Sequence, residues 1–223
     1  MKENLNSKYF PILIDLSKFE VIVIGAGNVG IRKIKNLLEF NAKIKVISPE
    51  LSEETDLLNK DNIEIVGRSY KYGDIPYNSI VFCSTGDMDT NIKVQKECIE
   101  KKALLNVADI PELCNFIMPA TIKKGDLTVS IGSQGKVPFF VREIKKKILN
   151  NFTPYTAEYV EIASELRTKM METGLYSNFE IREKIIEEFF KLNIEKIIAE
   201  EGKEKALKEV YKLIDNFSKV ILK

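Results

Sequence analysis

The stretch from Val21 to Ile47, V-I-V-I-G-A-G-N-V-G-I-R-K-I-K-N-L-L-E-F-N-A-K-I-K-V-I, decides the fold. Val21 to Ile24 are β-branched without interruption, the pattern of a strand buried on both faces. Gly25, Gly27 and Gly30 follow at G-x-G-x-x-G spacing. Ile31, Ile34, Leu37 and Leu38 then recur at helical intervals, Asn41 closes the helix, and Ile44 to Ile47 make a second strand. A strand, glycine turn, helix and strand within about 30 residues is the context in which this motif means dinucleotide binding. Gly25 permits a tight turn, Gly27 lets the backbone approach a pyrophosphate, and Gly30 lets the helix pack closely on the strands. The helix N-terminus offers free N–H groups to the phosphates. The bland alternative is a βα turn that binds nothing.

Working outward, Y-F-P-I-L-I-D-L over Tyr9 to Leu16 reads as a short strand, with Pro11 suiting a sheet edge. Ser48-Pro49 is expected to stop the second strand. Many NAD sites place an acid at that point to hold the ribose 2′-hydroxyl. Here it holds Ser48, with Glu50 close behind. Either bonds a ribose hydroxyl or caps a following helix over Leu51 to Asn59. No arginine stands there to meet a 2′-phosphate, although Lys43 and Lys45 are near, so NAD is favoured over NADP. Further strands are expected over Ile63 to Val66, Ser79 to Cys83 and Leu104 to Val107, with a helix from about Thr90 to Lys101.

Beyond Pro111 the pattern changes. Phe116 to Met118 and Leu127 to Ile131 read as strands. Gly132 to Lys136 is a polar loop, and Pro138 opens a helix through about Leu149. From Pro154 the chain reads as helical and charged. Its apolar stripes are Ile162, Leu166 and Met170; Ile185, Ile186, Phe189 and Phe190; and Leu207, Val210, Leu213 and Ile214. Gly174 and Gly202 break the helices. The fold class expected is α/β: an N-terminal Rossmann-type parallel sheet, a small α+β region, and a C-terminal helical domain. The divisions are 1–115, 116–150 and 151–223.

Composition narrows the chemistry. The 223 residues carry a net charge of +1, which gives no general attraction for nucleic acid. No apolar run is long enough for a transmembrane helix, and Met1 to Lys8 lack the apolar core of a signal peptide. Three widely spaced cysteines fit a cytoplasmic protein with reduced thiols. There is no histidine. That excludes Ser-His-Asp and Cys-His catalysis and the commonest transition-metal ligand, so no metal site is expected. Proton transfer falls to a carboxylate, Lys, Tyr, Cys or the substrate.

Polar clusters follow the later strands: Ser84 to Asp87, Asn106 to Asp109, and Ser133 to Lys136. In a doubly wound sheet the carboxyl ends of strands face the ligand, which makes Thr85 and Gly86 cofactor neighbours. Asp87 and Asp89 start the next helix. Asp109, after an apolar strand, is expected to be partly buried. It is either a general base or a turn residue before Pro111. Ser133 is an accessible hydroxyl with no base partner, suited to bonding an anion. Cys114 reads as a small core residue, and Lys145 to Lys147 as a solvated helix face.

At these residues the chain resembles the precorrin-2 dehydrogenase family, which includes the bifunctional dehydrogenase/ferrochelatases and the N-terminal module of bacterial siroheme synthase. The matching segments are Y-F-P-I-L-I-D-L, V-I-V-I-G-A-G-N-V-G-I-R-K, S-T-G-D-M-D-T-N, N-V-A-D-I-P-E-L-C-N-F-I-M-P-A and V-S-I-G-S-Q-G-K-V-P, spread over roughly Tyr9 to Leu149. The resemblance implies NAD-dependent oxidation of precorrin-2 to sirohydrochlorin by a cytoplasmic homodimer, with metal insertion into sirohydrochlorin left open. It implies cofactor contacts at Asn28, Val29, Pro49 and Glu50 beside the glycines, and catalysis by Asp109. Asn106, Ser133 and Lys136 fall at the tetrapyrrole site. Arg32, Lys33, Lys136 and Arg142 are the cations nearest these loops and suit a substrate rich in carboxylates. Gly132 stands where siroheme synthase has a second serine. The competing readings are a non-catalytic NAD sensor and a tetrapyrrole-binding module without redox activity.

Overall fold

The computed structural model describes residues 8–51 and 61–221. These fall into two compact units, one of residues 1–118 with 134–136, the other of residues 119–133 with 137–223. The helix expected over Leu51 to Asn59 lies, apart from Leu51, outside the described residues.

The first unit is built on a parallel sheet. Its strands are β1 (Val21–Ala26), β2 (Ile44–Leu51), β3 (Ile63–Val66), β4 (Ile80–Cys83) and β5 (Leu104–Val107), in the order β3-β2-β1-β4-β5. This is the doubly wound order, reversing at β1. Helix α1 (Asn28–Leu38) follows β1, and α2 (Met88–Glu100) follows β4. Side chains alternate across a strand, and β1 shows why both its faces had to be apolar. Val21 and Val23 pack with Ile31, Ile34 and Leu37 of α1. Ile22 and Ile24 pack with Val94 and Cys98 of α2. No residue from Val21 to Ile24 is more than 2% exposed.

The second unit holds an antiparallel hairpin, β6 (Ala120–Lys124) and β7 (Leu127–Ile131), and five helices: α3 (Pro138–Leu149), α4 (Thr156–Glu172), α5 (Phe179–Lys191), α6 (Ile194–Glu201) and α7 (Lys203–Ile221). Gly125, with φ +57°, turns the hairpin. Ile162, Leu166 and Met170 of α4 meet Ile185 and Phe189 of α5 and Val210 and Ile214 of α7 in one core. Gly174 and Gly202 break the helices as expected, with φ 74° and 87°.

Four expectations are corrected. Tyr9 to Leu16 form no strand. The Tyr9 backbone bonds the Gln134 side chain instead of a sheet edge, and Phe10 and Leu13 are exposed. Pro49 does not end β2, because the ladder to β1 resumes past an irregularity, pairing Ala26 with Leu51. Phe116 to Met118 are not a strand. Phe116 instead sets its ring edge-on to Phe82, centroids 5.5 Å apart, within the core. Phe190 leaves the apolar stripe of α5 and is 68% exposed.

Candidate functional site

The carboxyl ends of β1, β2 and β4 and the residues after β3 enclose a cavity of ≈ 450 Å³ in the first unit. Gly25, Gly27, Ser48, Pro49, Glu50 and Thr85, all anticipated as cofactor neighbours, line it. A slightly larger depression lies at the opposite, amino ends of the strands, beside Lys43 and Lys45. The glycine turn does not reach that end.

The glycines do different work. Gly25 has φ +90°, and a Cβ there would sit 2.8 Å from the carbonyl oxygen of Ser84. A Cβ on Gly30 would sit 2.0 Å from the carbonyl oxygen of Gly25, so this glycine joins helix to turn and cannot be replaced without moving backbone. A Cβ on Gly27 would meet nothing within 4 Å. The open space before Gly27 lies at the start of α1, whose N-cap makes no side-chain hydrogen bond. The first N–H groups of the helix, from Asn28 and Val29 onward, are thus left for an external acceptor. Ser84 Oγ, next to the same turn, is buried without a partner among the described residues. Uncapped donors, room for a phosphate and an orphaned hydroxyl fit a dinucleotide.

Ser48 is used differently from the expectation. Its hydroxyl accepts from Ala26 N–H at 3.1 Å and donates to the Glu50 carbonyl at 2.6 Å. It bridges the irregularity between β1 and β2, and its proton is spent there. Glu50 is exposed on the cavity wall. Lys45 is occupied elsewhere, 3.4 Å from Glu64 across the neighbouring strand. Gly86 sits between Thr85 and Asp87. Asp87 caps α2, accepting from Asp89 and Thr90 N–H groups and the Thr90 hydroxyl, and that hydroxyl above all holds its carboxyl below the usual range.

On the other side of β1, Asn106 is 8% exposed near the end of β5. Its Oδ1 accepts from Lys33 Nζ at 2.6 Å, and its Nδ2 donates to the Phe116 carbonyl at 3.2 Å. Lys33 is half-buried, its ammonium 5.4 Å from the Phe82 ring centre. Burial pulls its pKa below the ordinary lysine value. Arg32, Lys136 and Arg142 are exposed, so of the four cations only Lys33 is turned inward. Cys114 is a core residue, as expected, its Sγ within 3.1 Å of the Val107 N–H.

Asp109 is exposed, against the expectation of partial burial, because β5 ends at Val107 and the chain turns outward. It adopts φ 60°, a left-handed conformation that Asp tolerates better than most residues. In the second unit, Ser133 Oγ accepts from Val137 N–H at 3.2 Å, ahead of α3. Lys136 is exposed.

Two residues near the cavity carried no sequence expectation. Tyr70 lines it, and Glu97, in the middle of α2, is 0% exposed and holds the Tyr70 hydroxyl. The signal for Glu97 was an acid inside the apolar face formed by Val94 and Cys98.

Comparison with known proteins agrees with this geometry. A family model of NAD(P)-binding domains matches residues 12–120. Siroheme synthase of Buchnera aphidicola subsp. Acyrthosiphon pisum is 35% identical over 201 residues, covering 89% of this chain and 42% of that protein. The chain is thus similar to siroheme synthase over most of its own length. A second relative, siroheme synthase of Thioalkalivibrio sulfidiphilus, is 32% identical over 157 residues, 70% of this chain and 32% of that protein. The chain therefore spans less than half the length of these curated relatives. The solved structure of SirC, a precorrin-2 dehydrogenase, has a similar fold, with TM-score 0.70 at 22% identity over 93% of this chain and 100% of that one. Among the described residues no three His, Cys, Asp or Glu side chains are placed to hold a metal ion. No described helix is long and apolar enough to cross a membrane.

Proposed function

We propose that this chain is an NAD-dependent dehydrogenase that oxidises precorrin-2 to sirohydrochlorin. The observation that carries the reading is Asp109, an exposed carboxylate past the carboxyl end of β5, on the same edge of the sheet as the glycine turn. NAD, bound across that edge, supplies the hydride acceptor. The substrate loses a hydride and a proton, giving NADH, H⁺ and one further double bond in the macrocycle. Asp109 is the base that takes the proton. Its exposure leaves it free to meet a large substrate. Lys33 and Asn106 hold the shape of the corner from which Asp109 projects, and Ser133 and Lys136 supply polar contacts to the tetrapyrrole.

NAD is preferred to NADP because Glu50 accepts from a ribose hydroxyl and repels a 2′-phosphate. Among the described residues lining the cavity there is no Lys or Arg to offset that repulsion. The reading carries with it a homodimer working in the cytoplasm, divided into a dinucleotide-binding part over 1–115, a dimerisation and substrate-loop part over 116–150 and a helical part over 151–223. The test is turnover of precorrin-2 with NAD and NADP side by side. NADH and the sirohydrochlorin spectrum are expected with NAD. No NADH above a cofactor-free control overturns the reading.

A further inference from the structure

Tyr70 and Glu97 are far apart in sequence and meet beneath the cavity. Glu97 is fully buried on α2, yet no cation among the described residues pairs with it. An isolated buried carboxylate is costly unless hydrogen bonds replace its water. Here the replacements all come from one loop. One carboxylate oxygen accepts from Gly73 N–H at 2.9 Å and from Ile75 N–H at 3.3 Å, and the other accepts the Tyr70 hydroxyl. Glu97 thus fixes the segment from Tyr70 to Ile75 at several points. Arg68 and Asp74 close the same loop with a bidentate pair at 2.7 Å. A loop so firmly fixed beside an open cavity calls for an explanation.

Topology supplies the ligand half. Tyr70 follows β3, which lies outside β2, and β2 carries Glu50 near its carboxyl end on the cavity wall. The side of β1 towards β2 and β3 is where the adenosine half of a dinucleotide lies in this strand order. Tyr70 packs on the apolar cluster under α2 through its body and gives its hydroxyl to Glu97. Burial first, and then that hydrogen bond, raise its phenol pKa, so it stays a neutral donor at every working pH.

We propose that Tyr70 is a cofactor-binding residue whose ring walls the adenosine end of the dinucleotide cavity, with Glu97 as the positioning residue that holds the ring there. The proposal rests on the reading of this cavity as the NAD site. An aromatic wall suits a purine because base–aromatic stacking is sequence-tolerant and substantial. Glu97 contributes rigidity, since a ring held at its hydroxyl end loses less freedom when the ligand arrives.

The test is direct binding, with no tetrapyrrole present. NADH, ADP-ribose and reduced nicotinamide mononucleotide, which lacks adenosine, are titrated against the intact protein and its Tyr70→Ala, Tyr70→Phe and Glu97→Gln variants. Tyr70→Ala is expected to weaken NADH and ADP-ribose by about 10-fold, within the range measured for base stacking, and to leave the mononucleotide unchanged. Tyr70→Phe, which keeps the ring and the fold, and Glu97→Gln are expected to weaken the same two ligands by roughly 3-fold, the size of a small hydrogen-bond contribution. Equal binding of NADH by wild type, Tyr70→Ala and Tyr70→Phe overturns this proposal alone, as does an equal loss for all three ligands. Wild-type protein that binds no NADH overturns the NAD reading and this proposal together.

Discussion

The ammonium of Lys33 lies 2.6 Å from Oδ1 of Asn106 and 5.4 Å from the centre of the Phe82 ring, tying the second turn of α1 to the end of β5 across β4. Asn106 passes the link on, its Nδ2 donating to the carbonyl of Phe116. Residues that share such a chain do not contribute additively. In a double-mutant cycle with Lys33→Met and Asn106→Ala, urea unfolding is expected to show a coupling of about 1.5–3 kcal/mol, the range for a hydrogen bond to a charged group. Independent effects that simply add would mean that the contact carries no energy.

Alkaline pH probes the same lysine. Burial lowers its pKa below the ordinary lysine value of 10.5, so the folded protein binds this proton less tightly than the unfolded chain. Where the unfolded state holds more protons, stability rises with pH. The contribution is absent below the folded pKa, grows as pH rises through it, and is complete above 10.5. Lys33→Met is expected to flatten this part of the stability profile, read from urea midpoints between neutrality and pH 10.5. A variant with an unchanged alkaline slope would refute the assignment.

Gly27 and Gly30 are expected to separate binding from folding. Gly27 has φ −72°, which alanine adopts freely, and faces open space. Gly27→Ala should melt within a few degrees of wild type and lose NADH affinity by about 10-fold or more, because the new methyl stands where a pyrophosphate approaches. Gly30→Ala sets a Cβ against the Gly25 carbonyl and should cost roughly 3 kcal/mol or more, at or above the top of the overpacking range. Thermal melts and NADH fluorescence read both. If the two variants behaved alike, the division of roles between these glycines would be wrong.

How much of this was legible follows from how local each signal is. Val21 to Ile47 could be read because a buried parallel strand, a glycine turn and an amphipathic helix each announce themselves within a few residues. Tyr9 to Leu16 has the same apolar look, but a strand exists only if an edge is available to pair with. That depends on distant chain, and here Gln134 takes the Tyr9 backbone instead. Spacing put Ser48 at the ribose, whereas its hydroxyl bridges a ladder irregularity that only the paired strands reveal. The apolar strand before Asp109 suggested burial, and a left-handed turn reversed it. Tyr70 and Glu97 meet through topology alone, with nothing between their sequence positions to signal it.

Asp109 offers the sharpest test of the proposed chemistry. Its side chain is exposed and among the described residues makes no hydrogen bond or ion pair, so removing its charge should leave the fold intact. The replacement must tolerate φ 60°, which favours asparagine over alanine. Asp109→Asn keeps shape and conformation and cannot accept a proton as a carboxylate does. Loss of a general base costs on the order of 10²–10⁴ in rate. Turnover of precorrin-2 is expected to fall by that order, with the melting temperature and the affinity for NADH unchanged, since the glycine turn and Glu50 are untouched. Steady-state rates and NADH titration measured on one preparation decide the matter. Turnover within a few-fold of wild type would remove Asp109 from the chemistry and leave the proton to another group on that edge of the sheet.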